Sequence, residues 1–311
     1  MRSYGLGRVL AAVPTALGVA TIVFLLIHLI PGDPIEVMLG ETATAVDRQS
    51  LRAGLGLDRP LHQQYADYLG GLFRGELGTS IHSGRKVGEL LIERLPATIE
   101  LSLAALVFAV AMALPLGLLS AKYAGRAVDR AAMIGSLSAV ALPNFWLGPL
   151  LIMLFSIELG WLPVSGRGGW AHLILPAFTL GASMAGILTR MTRASVLETV
   201  GEEYIRTARA KGAPESTVFA KHALRNALTP VLSLLGLQLG ALLAGSVITE
   251  TIFAWPGIGR LTLEAIETRD YPVVQGCVLL ISLGYVGVNL VTDLAYAWVN
   301  PRIRCPQGRD D

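Results

Sequence analysis

Six stretches of the chain contain no Asp, Glu, Lys or Arg: 9–30, 101–121, 131–157, 168–189, 226–249 and 271–292. Each reaches or passes the ~20 residues an α-helix needs to cross ~30 Å of hydrocarbon. Inside lipid every backbone polar group must be satisfied within its own segment, so runs this long predict helices. Strands of a membrane barrel would alternate polar and apolar positions, and these runs do not. The expectation is an all-α integral membrane protein with six transmembrane helices. Between the first two runs lies a water-compatible segment, 31–100, in which "TAVDRQSLRAGL" and "RPLHQQYADYLGGLF" read as short amphipathic helices, the second opened by Pro60. Between the fourth and fifth runs lies a charged excursion, 190–225.

Composition supports a lipid solvent: 53% of the 311 residues are hydrophobic and only 15% are charged, against about a quarter charged in a soluble domain. The first run is preceded by Arg2 and Arg8 like a signal peptide. Its 22 residues exceed the 7–15 of a signal core, so it reads as a retained span. Charge then sets orientation. With the N terminus inside, the pieces 1–8, 122–130, 190–225 and 300–311 hold 15 of the 25 Lys and Arg, while the two short outer loops hold three, Arg167, Arg260 and Arg269. The long outer segment holds the other seven, but long loops translocate largely regardless of charge. Both termini are therefore expected to be cytoplasmic. Basic residues placed by topology imply a lipid partner and no nucleic acid.

The domain reading is an N-terminal span (1–30), an external segment (31–100), a five-helix core (101–300) and a cytoplasmic tail (301–311). Span three is interrupted at "ALPNFWLGP", where Pro143 and Pro149 each remove a helix hydrogen bond and Asn144 offers compensating polar groups; a kink facing other helices or water is expected there. Cys277 falls in the last span and Cys305 in the tail, so no disulfide is expected. The five histidines, 28, 62, 82, 172 and 222, lack any paired spacing, and no metal site is expected.

The excursion 190–225 is built as two helices rather than a linker. Glu202 and Glu203 stand at the start of "EEYIRTARAK", Lys211 at its end and Gly212 just beyond. Acids thus sit at the positive end of the helix dipole, a cation at the negative end, and glycine where a left-handed cap is easiest. "GAPESTVFAKHALRNAL" restarts with Pro214 and Glu215 in a first turn and runs into span five. A compact helix beneath a membrane bundle, with small Ala208, Ala210, Gly212 and Ala213, has the shape of a docking knob; the plain alternative is a solvated basic loop.

The segment "EYIRTARAKGA" at 203–213, with "HALRNA" following, resembles the cytoplasmic EAA loop of ABC importer permeases, in the variant of the dipeptide, oligopeptide and nickel transporter family. In that register Arg206, Thr207 and Ala208 fall on EAA and Gly212 on the glycine; against the broad motif only Ala208, Gly212 and Leu224 agree. "IPGDP", "LGLDRPLHQQY", "GELGTS", "PNFWLG", "FAWPGIGRL", "RDYPVVQ" and "NPRIR" look like the same family, so the likeness spans nearly the whole chain. The resemblance implies a type I permease fold in a bacterial inner membrane. Its implied partners are a second homologous permease, two cytoplasmic ABC ATPases and an external substrate-binding protein. It assigns ATPase coupling to Glu203, Arg206, Thr207, Ala208, Arg209, Gly212 and Ala213, and implies di- or oligopeptide cargo, glutathione-like peptides included, with a nickel chelate as the alternative. ATP and Mg would sit on the ATPases. This chain agrees, having no GxxxxGK[ST]; "GTSIHSGRK" has one residue too many between its glycines and lacks the Lys-Ser/Thr ending.

Two other functions are tested by the residues. An intramembrane serine protease would use Ser183 in "GASMAG" with His172, but eleven residues on one helix separate them by ~16 Å. An ion-coupled transporter would place ionisable groups deep in the bilayer, and only Asp293, near the inner end of span six, approaches that. Asn144, Ser183 and Gln238 are candidate path-lining positions and equally candidate helix contacts.

Overall fold

The computed structural model describes residues 2–29, 44, 49, 52 and 58–299. Those residues are overwhelmingly helical, and the β-structure among them is one isolated antiparallel bridge, Thr79 to Lys86. In chain order the α-helices longer than one turn are α1 (Arg2–Leu29), α2 (Leu61–Phe73), α3 (Val87–Lys122), α4 (Ala127–Ala141), α5 (Asn144–Leu151), α6 (Trp170–Val200), α7 (Glu203–Ala210), α8 (Leu224–Ile252), α9 (Ile258–Glu267) and α10 (Tyr271–Val299). Wide-wound π turns extend α5 through Ile152–Glu158 and lead into α8 through Val218–Ala223.

Three of these helices, α3, α6 and the 271–292 part of α10, are long and apolar enough to cross a bilayer by length and composition. The α4–α5 pair makes a fourth candidate, broken by 107°. The kink expected at "ALPNFWLGP" is thus a sharp break. Pro143 is the extended residue before α5, and its carbonyl accepts from the amides of Trp146 and Leu147, both at 3.0 Å, so the new helix restarts at the proline. Two boundaries also lie beyond the apolar runs. α3 begins fourteen residues before 101, and α6 continues past Thr189 to Val200, so the first part of the charged excursion prolongs the helix of the fourth apolar run. The segment "IPGDP", most of "TAVDRQSLRAGL", Cys305 and the tail lie outside the described residues.

The core forms where α3 lies along α6. Along α3 a residue is buried every fourth position, Ala97, Leu101, Ala105, Ala109, Ala113, Gly117 and Ala121, one continuous face of a helix. It meets Ala177, Leu180, Met184 and Leu188 of α6. Small residues set the spacing: a Cβ on Gly181 would lie 2.6 Å from the Ala105 carbonyl, and one on Gly186 would lie 2.5 Å from that of Ser136 on α4. These contacts fit packing in a membrane, where close backbone approach rather than water exclusion holds helices together. The small residues of "GASMAG" therefore act in packing.

Around α9, motifs far apart in sequence meet. Ser80 Oγ donates to the buried Asp270 carboxylate at 2.5 Å and the Ile81 amide to its other oxygen at 3.3 Å, joining "GELGTS" to "RDYPVVQ". Trp255, buried, donates from Nε1 to the Ala97 carbonyl at 2.8 Å. Thr98 Oγ1 donates to Glu250 at 2.8 Å and accepts from the Ile258 amide at 2.8 Å, while the Arg260 amide donates to Glu250 at 3.0 Å. The fully buried Glu250 carboxylate thereby caps the start of α9, where a helix favours an anion, and locks α3, α8 and α9 together.

Candidate functional site: a hydrogen-bonded knob between α6 and α8

The knob is positioned first by α6. That helix closes at Gly201, whose amide bonds the Glu198 carbonyl at 3.1 Å. Glu202 is then extended (φ −71°, ψ 149°) and its carbonyl accepts from Ile205 and Arg206 at 3.1 and 3.4 Å, opening α7. Ile205 is completely buried among Ala121, Val196, Val218, Phe219, Ala223 and Ala227. One aliphatic residue from α7 therefore anchors it to α3, α6 and the entry to α8.

The C-terminal end is a full Schellman turn. The Ala213 amide bonds the Ala208 carbonyl at 3.2 Å and the Gly212 amide bonds the Arg209 carbonyl at 2.9 Å. Gly212 has φ +77°, the left-handed conformation anticipated for it, and a Cβ there would meet nothing within 4 Å. Its requirement within this chain is therefore backbone conformation, not space. Arg209 and Glu215 brace the turn from outside: Nε reaches Oε1 at 2.8 Å and a terminal guanidinium nitrogen reaches Oε2 at 3.2 Å. The Arg209 hydrogen bonds hold the Glu215 carboxyl below the ordinary glutamate range, with Lys122 adding to the effect.

The residues assigned to coupling divide into two sets. Glu203, Arg206 and Thr207 are exposed, and with exposed Ala210 they form one stripe at helical spacing. Ala208 is half-buried, and Ala213 packs against the Ile205 cluster. Arg209 is committed to Glu215. Tyr204 and Arg209 are exposed beside this stripe, and Ile205 is the one buried residue of α7.

Three supports escaped the sequence reading. Tyr204 Oη accepts from Asn226 Nδ2 at 2.5 Å, tying α7 to the first turn of α8. Arg193 on α6 grips Asp129 on α4 through Nε at 2.6 Å and a terminal nitrogen at 2.8 Å, and Asp129 also accepts from Ser120 Oγ and from the Gly125 amide at 2.8 Å. Ile205 is the third. Asp129 is the one acid in "KYAGRAVDR" and Ile205 the one aliphatic residue larger than alanine in "EEYIRTARAKG", so a signal existed for both. Among the described residues no group of three or more His, Cys, Asp or Glu could hold a metal ion.

The fold is that of an ABC transporter permease. A solved amino acid ABC transporter with histidines aligns over 69% of this chain and 94% of its own, with a TM-score of 0.51 and 18% identity. Family profiles then match nearly end to end: "Binding-protein-dependent transport system inner membrane component" over residues 113–304 and its N-terminal counterpart over residues 1–103. The chain belongs to this family of binding-protein-dependent importer permeases. It is 44% identical over 304 residues to the glutathione transport system permease protein GsiC of Salmonella choleraesuis (strain SC-B67), covering 98% of this chain and 99% of that one. The identity and coverage are the same for the protein of that name in Escherichia coli (strain K12). It is thus a multi-pass membrane permease subunit of an ABC-type importer, and its family is not catalytic.

Proposed function

We propose that this chain forms half of the translocation path of an ATP-driven importer of di- or oligopeptides, glutathione-like tripeptides included. In this reading six spans cross the bilayer with both termini cytoplasmic, 31–100 lies outside, and the core 101–300 carries the coupling loop 190–225. The chain pairs with a second homologous permease, receives cargo from an external binding protein, and takes its energy from two cytoplasmic ATPases that hold ATP and Mg. The GsiC relatives, named for the transport of a tripeptide, support the cargo class.

The observation that carries the coupling role is the construction of α7. It is anchored by Ile205, closed by the Schellman turn at Gly212, and presents Glu203, Arg206, Thr207 and Ala210 on one face. α6 leads directly into it and α8 follows through the turn and the short helical segment of 211–223, so a push on this face is delivered to spans four and five together. A lever of this kind transmits motion only if its joints are stiff, and both ends are hydrogen-bonded.

The test is reconstitution with the cognate second permease, ATPases and binding protein in vesicles, followed by uptake of labelled glutathione or dipeptide. ATP-dependent uptake that disappears when Arg206 and Thr207 are replaced together by Asp, at equal membrane abundance, supports the reading. Normal uptake by that variant removes α7 from the coupling path.

A further inference from the structure

The junction of α3 and α4 carries three cations that the fold leaves unused. Lys122 closes α3, Arg126 is the residue just before α4, and Arg130 lies one turn further on; all three are exposed. Lys122 Nζ lies 5.5 Å and Arg126 Cζ 6.0 Å from the centroid of the Tyr123 ring, so two positive charges gather at one aromatic. Among the described residues none of the three is ion-paired with a carboxylate, whereas Arg59, Arg74 and Arg85 each face one. Two acids of this region are engaged elsewhere. Asp129 is held by Arg193, Ser120 and the Gly125 amide, and Glu215, which feels the charge of Lys122, is bonded by Arg209. Leading up to the cations, both helices turn apolar faces outward. On α3, a candidate span, exposed Leu103, Val107, Ala111, Pro115 and Leu119 follow at helical spacing and end at Lys122. On α4, Ile134 and Leu137 share a face with Arg130 in the same way. Val107 and Ile134 are 66% and 67% exposed, so these faces meet nothing within the chain.

We propose that the α3–α4 junction binds an anionic phospholipid, with its phosphate among Lys122, Arg126 and Arg130 and its acyl chains along the exposed faces of α3 and α4. Two observations select this occupant. Unpaired cations gathered around one ring are complementary to a phosphate, which accepts several charge-assisted hydrogen bonds at once. The cations also stand where the apolar faces stop, the arrangement of a headgroup at the end of its chains, and long basic side chains reach that level while their stems stay against hydrocarbon. An acidic peptide would answer the charges and leave the apolar faces bare. Orientation of the chain alone would be served by cations anywhere on this side of the bilayer; it does not require them to be unpaired and drawn to Tyr123. The same turn carries Asp129, whose bonds to Arg193 tie α4 to α6, so the lipid sits beside the brace between those helices. Nothing in this site depends on α7 or on the coupling role assigned to it.

The test uses the purified full chain in detergent, titrated with phosphatidylglycerol or with phosphatidylethanolamine, with bound lipid read by native mass spectrometry. The parent chain is expected to hold phosphatidylglycerol about tenfold more tightly or better, as three cations near a headgroup would, and to lose much of that preference at high salt. Lys122→Gln, Arg126→Gln and Arg130→Gln together are expected to remove the preference. Arg59→Gln, Arg74→Gln and Arg85→Gln together take the same charge from paired positions and are expected to keep it. A parent chain with no preference, or two triple variants that behave alike, overturns the proposal. A photo-cross-linking residue at Ile134 gives a second readout in the native membrane that leaves all three cations in place. Attachment to anionic phospholipid above its share of the membrane supports the proposal; attachment to lipids in proportion to their abundance, or to another protein, overturns it.

Discussion

Arg193, in the C-terminal part of α6, and Asp129, in the first turn of α4, bond through both arms of the guanidinium, at 2.6 and 2.8 Å. Asp129 is buried and takes two further donors, Ser120 Oγ and the Gly125 amide. Seven residues beyond Arg193, α6 ends and the knob begins. The pair therefore fixes the direction from which the coupling helix leaves the bundle. Asp129→Asn is expected to lower the apparent melting midpoint in detergent by several degrees and to reduce uptake. Arg193→Lys is expected to recover only part of the loss, because an ammonium cannot make the two-armed contact. Differential scanning fluorimetry on the purified chain, with uptake at matched abundance, checks both.

Gly212 separates conformation from size. Its φ of +77° is open to glycine and tolerated by asparagine, and no atom lies within 4 Å of a Cβ built there. Gly212→Asn is expected to retain most transport. Gly212→Ala is expected to cost ~1–2 kcal/mol of local stability and to reduce transport moderately. Gly212→Arg adds bulk that nothing in this chain resists, so any further loss below the alanine variant reports a partner in contact. Uptake assays of the three at equal membrane abundance make the comparison.

The Arg209–Glu215 brace gives a pH dependence with a definite sign. Arg209 depresses the Glu215 pKa in the folded chain, so its contribution is present above the ordinary glutamate value and is lost as pH falls through the lower folded value. Hydrogen exchange at the Gly212 and Ala213 amides is expected to be protected at neutral pH. Protection is expected to weaken below the ordinary glutamate range, and Glu215→Gln is expected to remove that dependence while leaving exchange in the α3–α6 core unchanged.

Much of this arrangement was legible beforehand, and the reasons are physical. The Glu202–Gly212 helix announced itself through its end residues, because capping is local chemistry read from adjacent positions. The break at Pro143 was legible for the same reason, although its 107° size was not, since an angle depends on what the two halves pack against. Arg209 looked available to a partner because sequence shows a cation but not that Glu215 lies within 2.8 Å of it. The fourth-position stripe on α3 is visible in retrospect as Ala97 to Ala113. Its role needed Gly181, far along the chain on α6, to give Ala105 something to approach. The Ser80–Asp270 contact joins two motifs 190 residues apart, a pairing that no local pattern encodes.

The contact between Ser80 and Asp270 is independently testable. Ser80 and the Ile81 amide both bond Asp270, and the turn they hold contains Arg85 and Lys86. Asp270→Ala is expected to leave these donors without their acceptor and to loosen the turn. Trypsin added to the detergent-purified protein should then cleave at Arg85 or Lys86 at least several-fold faster than in the parent protein, as followed by mass spectrometry of the fragments.

Close packing rather than chemistry is the role of "GASMAG". Ser183→Ala is expected to leave uptake unchanged. Gly186→Val, which drives a side chain toward the Ser136 carbonyl, is expected to cost ~1–3 kcal/mol through overpacking and to lower the amount of folded protein in the membrane, measured by fluorescence-detected size exclusion.

The most direct test of the account is to isolate this chain from its native membrane in mild detergent, identify the proteins that accompany it, and measure ATP hydrolysis. The expected result is a stoichiometric second permease and ATPase, with hydrolysis stimulated by binding protein and uncoupled from it by Gly212→Arg. A chain that is stable alone, carries no ATPase activity and yet transports in vesicles without ATP would contradict it.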